Sequence, residues 1–287
     1  MNVLVAMDGS KYGRWGLDWV AALPLVDRPR VTALHVLDIG ALRAPFIAQP
    51  IIAGNERFIQ EEIKRMERRA ADTLSGARQQ MRILKLTGKV RKVRGAVAPV
   101  ILRQAPKKNG LVVVGSQGLD ALDRFMLGSV STNVIHHASC PVLVAKAEAK
   151  PLQRIVLAAD GSASSKNALR FLLAKFRSTG SGSGGKQAPV QVTVIHVMPF
   201  LKYPELKEAG SRLVEEYRQK LLRSGFSAEA VCRLGKPADE IMKVASQRKA
   251  DLIVMGAKGL GAIARFLLGS VSTRVVQQST ASVLVIR

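Results

Sequence analysis

The chain of 287 residues holds only two cysteines, four histidines and 5% aromatic residues. Cys140 and Cys232 fall in different halves at positions that do not match, which excludes a disulfide framework and a CxxC metal pair; a reducing compartment fits them. Long apolar runs are missing as well: nothing approaches the roughly 18 uninterrupted apolar residues of a membrane span. The opening MNVLVAMDGS has no basic region followed by an apolar core, so no signal peptide is expected. The expectation is a soluble, cytoplasmic protein without membrane contact. Acidic residues are scarce, 21 against 44 Lys and Arg, and the formal net charge is +23. Such an excess favours anionic partners through long-range attraction. It is spread evenly, +11 over residues 1–150 and +12 over the rest, so no basic tail stands out. Neither an HExxH zinc motif nor the GxxxxGK[ST] of a P-loop occurs, and the few histidines offer an enzyme little general-base chemistry.

What the chain does have is repetition. NVLVAMDGS (2–10) pairs with RIVLAADGS (154–162), and VTALHV (31–36) with VTVIHV (192–197). LVVVGSQGLDALDRFMLGSVST (111–132) pairs with LIVMGAKGLGAIARFLLGSVST (252–273), and PVLVAK (141–146) with SVLVIR (282–287). The order is preserved throughout, so the chain reads as two copies of one domain, 1–150 and 151–287. Spacing locates the insertions. Asp160 to His196 is nine residues longer than Asp8 to His35, and the Gly/Ser-rich stretch 178–187 accounts for it as a surface loop. His35 to Gly115 exceeds His196 to Gly256 by 20, which points to an insertion around 40–55. Within each copy, short β-branched runs alternate with segments of helical period, the pattern of an α/β fold with a parallel sheet covered on both faces. Tyr12, Trp15 and Trp19 share a helical stripe and read as core, with Ser10 as the cap of that helix.

The strand LVVV leads into Gly115, Gly118, nine residues, then Gly128 and Ser129; its counterpart leads into Gly256, Gly259, nine residues, then Gly269 and Ser270. This GxxGx9G[ST] spacing places bare backbone at a strand end and a helix start, where free amides and the macrodipole favour a phosphate. Gly115 and Gly118 can take positive φ and let a ligand approach the main chain, which a Cβ would block. Lys258, between the second pair of glycines, is a candidate cation near the phosphates, against the default of a solvated surface lysine.

On these residues the chain resembles the tandem form of the universal stress protein family over essentially its whole length. MDGS and AADGS are similar to that family's first strand and turn, LHV and IHV to its second strand, and the GxxGx9G[ST] loop with its helix and closing strand to its ATP-binding signature. The resemblance implies two tandem open-sheet, Rossmann-like, five-stranded parallel α/β sandwich domains, with PVLVAK and SVLVIR paired as an internal pseudo-dimer. It also implies an adenine-nucleotide site in each copy, for ATP, ADP or AMP. The first is Asp8, Val36, Gly115, Gly118, Gly128, Ser129, Val130 and Ser131. The second is Asp160, Val197, Gly256, Gly259, Gly269, Ser270, Val271 and Ser272. Asp8 belongs at the neutral end of the nucleotide, where a carboxylate does not repel phosphate, and it can also cap the following turn. A divalent metal and a further homodimer are compatible with this picture.

The function expected from it is that of a stress-response sensor or effector, with at most slow ATP hydrolysis or autophosphorylation at Ser129 or Ser270. A basic nucleic-acid-associated protein is the alternative, motivated by KRMERR (64–69) and KVRKVRG (89–95), which no recognition motif accompanies. An interaction module with nucleotide as a structural ligand is a further reading. One departure from the family pattern is Gly110, which stands where the second copy has Asp251. The Asp is expected to be structural.

Overall fold

The computed structural model describes residues 1–40, 53–107, 109–118, 127–179, 188–198, 204–259 and 268–287. The insertion around 40–55, apart from its ends, most of the Gly/Ser-rich stretch 178–187 and the first eight residues of each nine-residue spacer lie outside the described residues. In the first half, β1 (Asn2–Ala6), α1 (Lys11–Ala22), β2 (Arg30–Leu37), α2 (Ala53–Ile83), β3 (Thr87–Arg94), α3 (Val97–Gln104), β4 (Gly110–Gly115), α4 (Ser129–His137) and β5 (Val142–Ala145) follow one another. The second half repeats the series with β6 (Arg154–Ala158), α5 (Ala163–Lys175), β7 (Gln191–Met198), α6 (Pro204–Arg223) and β8 (Ser227–Leu234). It closes with α7 (Pro237–Gln247), β9 (Leu252–Gly256), α8 (Ser270–Gln278) and β10 (Ser282–Ile286).

The described strands form one ten-stranded sheet in the order β3-β2-β1-β4-β5-β10-β9-β6-β7-β8, which reads the same from either end of the repeat. Neighbours within each half are parallel, whereas β5 and β10 meet antiparallel with Val144 opposite Val283, Leu143 opposite Leu284 and Val142 opposite Val285. Leu143 and Leu284 are the matched residues of the repeat, so a pseudo-two-fold axis passes between them and the joint is self-complementary. Burying these two apolar strands against each other also removes the edges that would otherwise invite aggregation.

Strand alternation sorts the interior into two layers. Val3, Val5, Leu111, Leu143 and Leu284 face α1, α2, α5 and α6, where Leu17, Trp19, Leu169 and Tyr217 meet them. Leu4, Val112, Val114 and Val142 face the opposite side, where Ile101, Ile135, Val244 and Val275 lie. Trp19 is a core residue as its stripe suggested, with its indole N–H donating to Ala147 O at 2.9 Å, in the segment that joins the halves.

The Asp251 carboxylate accepts from the backbone N–H groups of Gln153 at 3.0 Å and Arg154 at 2.8 Å, pinning the start of β6. Gly110 has no such carboxylate; a Cβ there would run into the Pro106 ring. The first half replaces an electrostatic pin by close packing.

Candidate functional site

Strands β1 and β4 are parallel neighbours whose chains leave to opposite faces, β1 into α1 and β4 toward α4. That divergence opens a crevice beyond their carboxyl ends, the place where open α/β sheets bind ligands. A cavity of about 420 Å³ occupies it in the first half, and one of about 550 Å³ occupies the matching place in the second. Asp8, Val36, Gly115 and Gly118 line the first cavity together with Gly128, Ser129, Val130 and Ser131. Asp160, Val197, Gly256 and Gly259 line the second together with Gly269, Ser270, Val271 and Ser272. Residues separated by more than a hundred positions in sequence thus share one space in each half.

The turn after β1 needs a glycine: Gly9 and Gly161 hold φ of 89° and 79°, which other L-residues enter only with strain. That turn lets the Asp8 carboxylate accept from Ser10 N at 2.9 Å and Ser10 Oγ at 2.7 Å, while Ser10 Oγ accepts from Gly13 N and caps α1. In the second half Asp160 accepts from Ser162 N at 2.9 Å, and Ser162 Oγ caps α5 through Ser165 N. Each Asp therefore closes an Asx turn with one oxygen. Its other oxygen lies over the glycine loop, 3.2 Å from where a Cβ on Gly118 would stand and 2.8 Å from the equivalent point on Gly259.

The glycines divide the labour differently from the sequence expectation. Neither Gly115 nor Gly118 has positive φ, and the same holds for Gly256 and Gly259. Gly115 is bare because α1 crosses it closely: a Cβ would stand 2.6 Å from Tyr12 Cβ. Gly256 is crowded in the same way by Ser164 and by Ser165 N at 2.8 Å. Gly118 and Gly259 make room for the Asp carboxylates. Gly128 and Gly269 are the ones where a Cβ would meet only ordinary contacts, with extended backbone (φ −62° and −66°) and no side chain capping the helix that follows. A Cβ on them would point toward the amide nitrogens of Gly118 and Gly259, at 3.8 and 3.6 Å.

The serines differ too. Ser131 and Ser272 are buried, and their hydroxyls donate to Gly115 O at 2.6 Å and Gly256 O at 2.9 Å, tying the helix back to the strand end. Ser129 and Ser270 are exposed, and their hydroxyls make no hydrogen bond among the described residues. Lys258 lines the second cavity, and its peptide is latched to α5: Ser162 Oγ donates to Lys258 O at 3.1 Å, Ser164 Oγ donates to the same oxygen and accepts from Lys258 N at 3.2 Å.

Several residues of the cavities escaped motif reasoning. Ile101 and Ile241, with Leu34 and Ile195, supply an apolar wall. They are repeat-matched, six residues after Gly95 and Gly235 in the two isoleucine cases, but that stretch is too dissimilar to be noticed unaided. His35 and His196 each place Nδ1 2.7 Å from the carbonyl at the end of the first strand, Met7 O and Ala159 O, so these rings brace neighbouring strand ends. Burial pulls the His35 imidazole below its ordinary value, against the pull of its bond to Met7. Among the described residues no group of three His, Cys, Asp or Glu side chains is placed to hold a metal ion, and no helix is long and apolar enough to cross a membrane. Some of the basic residues of α2 and β3 are internally paired, Arg65 with Glu62 at 2.6 Å and Arg94 with Glu67 at 2.6 Å.

The universal stress protein family model matches residues 1–146 and again residues 151–287. The chain belongs to the universal stress protein family. A universal stress protein of Mycolicibacterium smegmatis is 26% identical over 301 residues, covering 100% of this chain and 97% of its own length. A Thermus aquaticus universal stress protein is 34% identical over 142 residues, 46% of this chain and 97% of that protein, so a relative of half the length matches one copy. Among solved structures, a universal stress protein from Archaeoglobus fulgidus superposes with a TM-score of 0.70 at 20% identity, covering 100% of this chain and 98% of the other. The tandem α/β architecture is therefore that of the family.

Proposed function

We propose that each half of this universal stress protein binds an adenine nucleotide, ATP or its ADP and AMP forms. The chain then acts as a stress-response sensor or effector, with at most slow hydrolysis or autophosphorylation. The observation that carries the reading is the pairing, in both cavities, of an apolar wall and an Asp carboxylate at one strand end with an uncapped helix N-terminus at the other. The wall suits a base, and the carboxylate can accept from ribose hydroxyls. The free amides of α4 and α8 attract a phosphate through their aligned dipoles. Ser129 and Ser270 stand at the first turn of those helices with hydroxyls that no described residue engages. A divalent metal would enter with the phosphates.

The residues proposed to hold the nucleotide are the eight of each cavity, with one distinction: Ser131 and Ser272 act by fixing the helix to the strand. The test is calorimetric titration with ATP, ADP, AMP and a cyclic nucleotide on the native chain and on Gly128→Ala combined with Gly269→Ala. A methyl fits at both positions, its nearest contacts being backbone oxygens at 3.6 and 3.4 Å, yet it stands among the amides that would meet phosphate. The double variant should keep its thermal transition and lose at least about tenfold in ATP affinity. Unchanged affinity, or no adenine ligand binding to the native chain, would refute the proposal.

A further inference from the structure

The two cavities carry different charge. In the second, Lys258 lies on the cavity wall between Gly256 and Gly259, on a peptide held at both its N–H and its carbonyl by Ser164, with Ser162 donating to the same carbonyl. The backbone that carries this ammonium is thus fixed. In the first, the matching wall residue is the neutral, buried Gln117, and Ser164 is replaced by Tyr12, whose Cβ packs toward Gly115 instead. No Lys or Arg lines the first cavity among the described residues. The second cavity is also the larger, about 550 against about 420 Å³.

From this asymmetry we infer that the cavities take ligands of different charge: the second a nucleoside triphosphate, the first an adenine ligand with one phosphate or none. The inference rests on the nucleotide reading above and adds selectivity to it. A triphosphate brings several negative charges to the helix start, where a lysine on the wall favours it and a neutral glutamine does not. A monophosphate needs only the helix amides, which both halves provide alike. The chain would then report two adenylates at once, one in each half, rather than one nucleotide twice.

Equilibrium binding of ATP, AMP and adenosine to the full chain tests this, in the native form and in Lys258→Gln and Lys258→Arg. In the native chain ATP should fill two classes of site separated by about tenfold or more, while AMP fills two nearly equal ones. Lys258→Gln should weaken only the tight ATP class, and Lys258→Arg should restore it. Near-ultraviolet spectra and thermal transitions matching the native chain would establish that each variant is folded. ATP filling both sites equally, or an ATP-to-AMP preference unmoved by Lys258→Gln, would overturn the inference and leave nucleotide binding standing. Absence of binding by every adenine ligand would overturn both.

Discussion

Lys146 and Arg287 occupy the same place in the two copies, and each caps a helix that belongs to the other half. Lys146 Nζ donates to Gln277 O at 3.0 Å and Ser279 O at 2.5 Å, at the carboxyl end of α8. Arg287 reaches back across the joint, its Nη2 donating to Ile135 O and, at 2.8 Å, to His136 O at the end of α4. A cation at a helix carboxyl terminus satisfies orphan carbonyls and meets the negative end of the dipole. The reciprocal caps reinforce the Leu143–Leu284 seam and couple each closing helix to the opposite domain.

Burial lowers the Lys146 ammonium from its ordinary 10.5 to about 8. Between those values the unfolded chain holds a proton that the folded chain has released, so native stability from this group rises with pH across that window. Urea unfolding of the native chain and of Lys146→Met, at neutral pH and again near the top of the window, should show the native advantage growing with pH. A gap that stays constant would mean the amine is solvated.

Gly115 and Gly256 are bare for packing, whereas Gly128 and Gly269 leave room for a methyl. Gly115→Ala and Gly256→Ala should each destabilise the fold by about 1–3 kcal/mol, because the methyl meets Tyr12 Cβ at 2.6 Å in one half and Ser165 N at 2.8 Å in the other. Gly128→Ala and Gly269→Ala should leave the denaturation midpoint within about 0.5 kcal/mol equivalents. Denaturant titrations of the four single variants would check the contrast.

Ser131→Ala and Ser272→Ala each remove a hydroxyl that donates to the carbonyl at a strand end. The loss should be about 1 kcal/mol of stability apiece, with nucleotide affinity falling by less than about threefold. Stability and calorimetric titration on the same samples would separate this bracing role from direct ligand contact. A large affinity loss without destabilisation would reverse the assignment.

Asp251→Ala should cost about 1–3 kcal/mol, because two backbone N–H groups at the start of β6 lose their acceptor. Hydrogen exchange should localise the effect to Gln153 and Arg154. The matched change Gly110→Asp should destabilise the first half instead of strengthening it, since Pro106 occupies the space.

Much of this molecule was legible in its letters because its signals are local or repeated. The alternation of β-branched runs with helical periods, the matched order of NVLVAMDGS and RIVLAADGS, and the glycine pair leading to a Gly-Ser helix start each need only a few neighbouring residues. They set the two-copy α/β plan and pointed to the strand ends where the cavities lie. The glycine roles were misread for an equally physical reason. Whether a missing Cβ serves a ligand, a carboxylate or a crossing helix depends on what stands opposite, and Tyr12 lies a hundred residues from Gly115.

The sequence by itself therefore determined the duplicated plan, the order of elements and the place of the candidate sites, because periodicity and turn chemistry act within a few residues. Only the tertiary structure decided which glycine leaves room for a methyl, which serine braces a strand, and that Lys146 and Arg287 hold each other's halves. Those outcomes are contacts between groups as many as 152 positions apart, and packing rather than local propensity selects them.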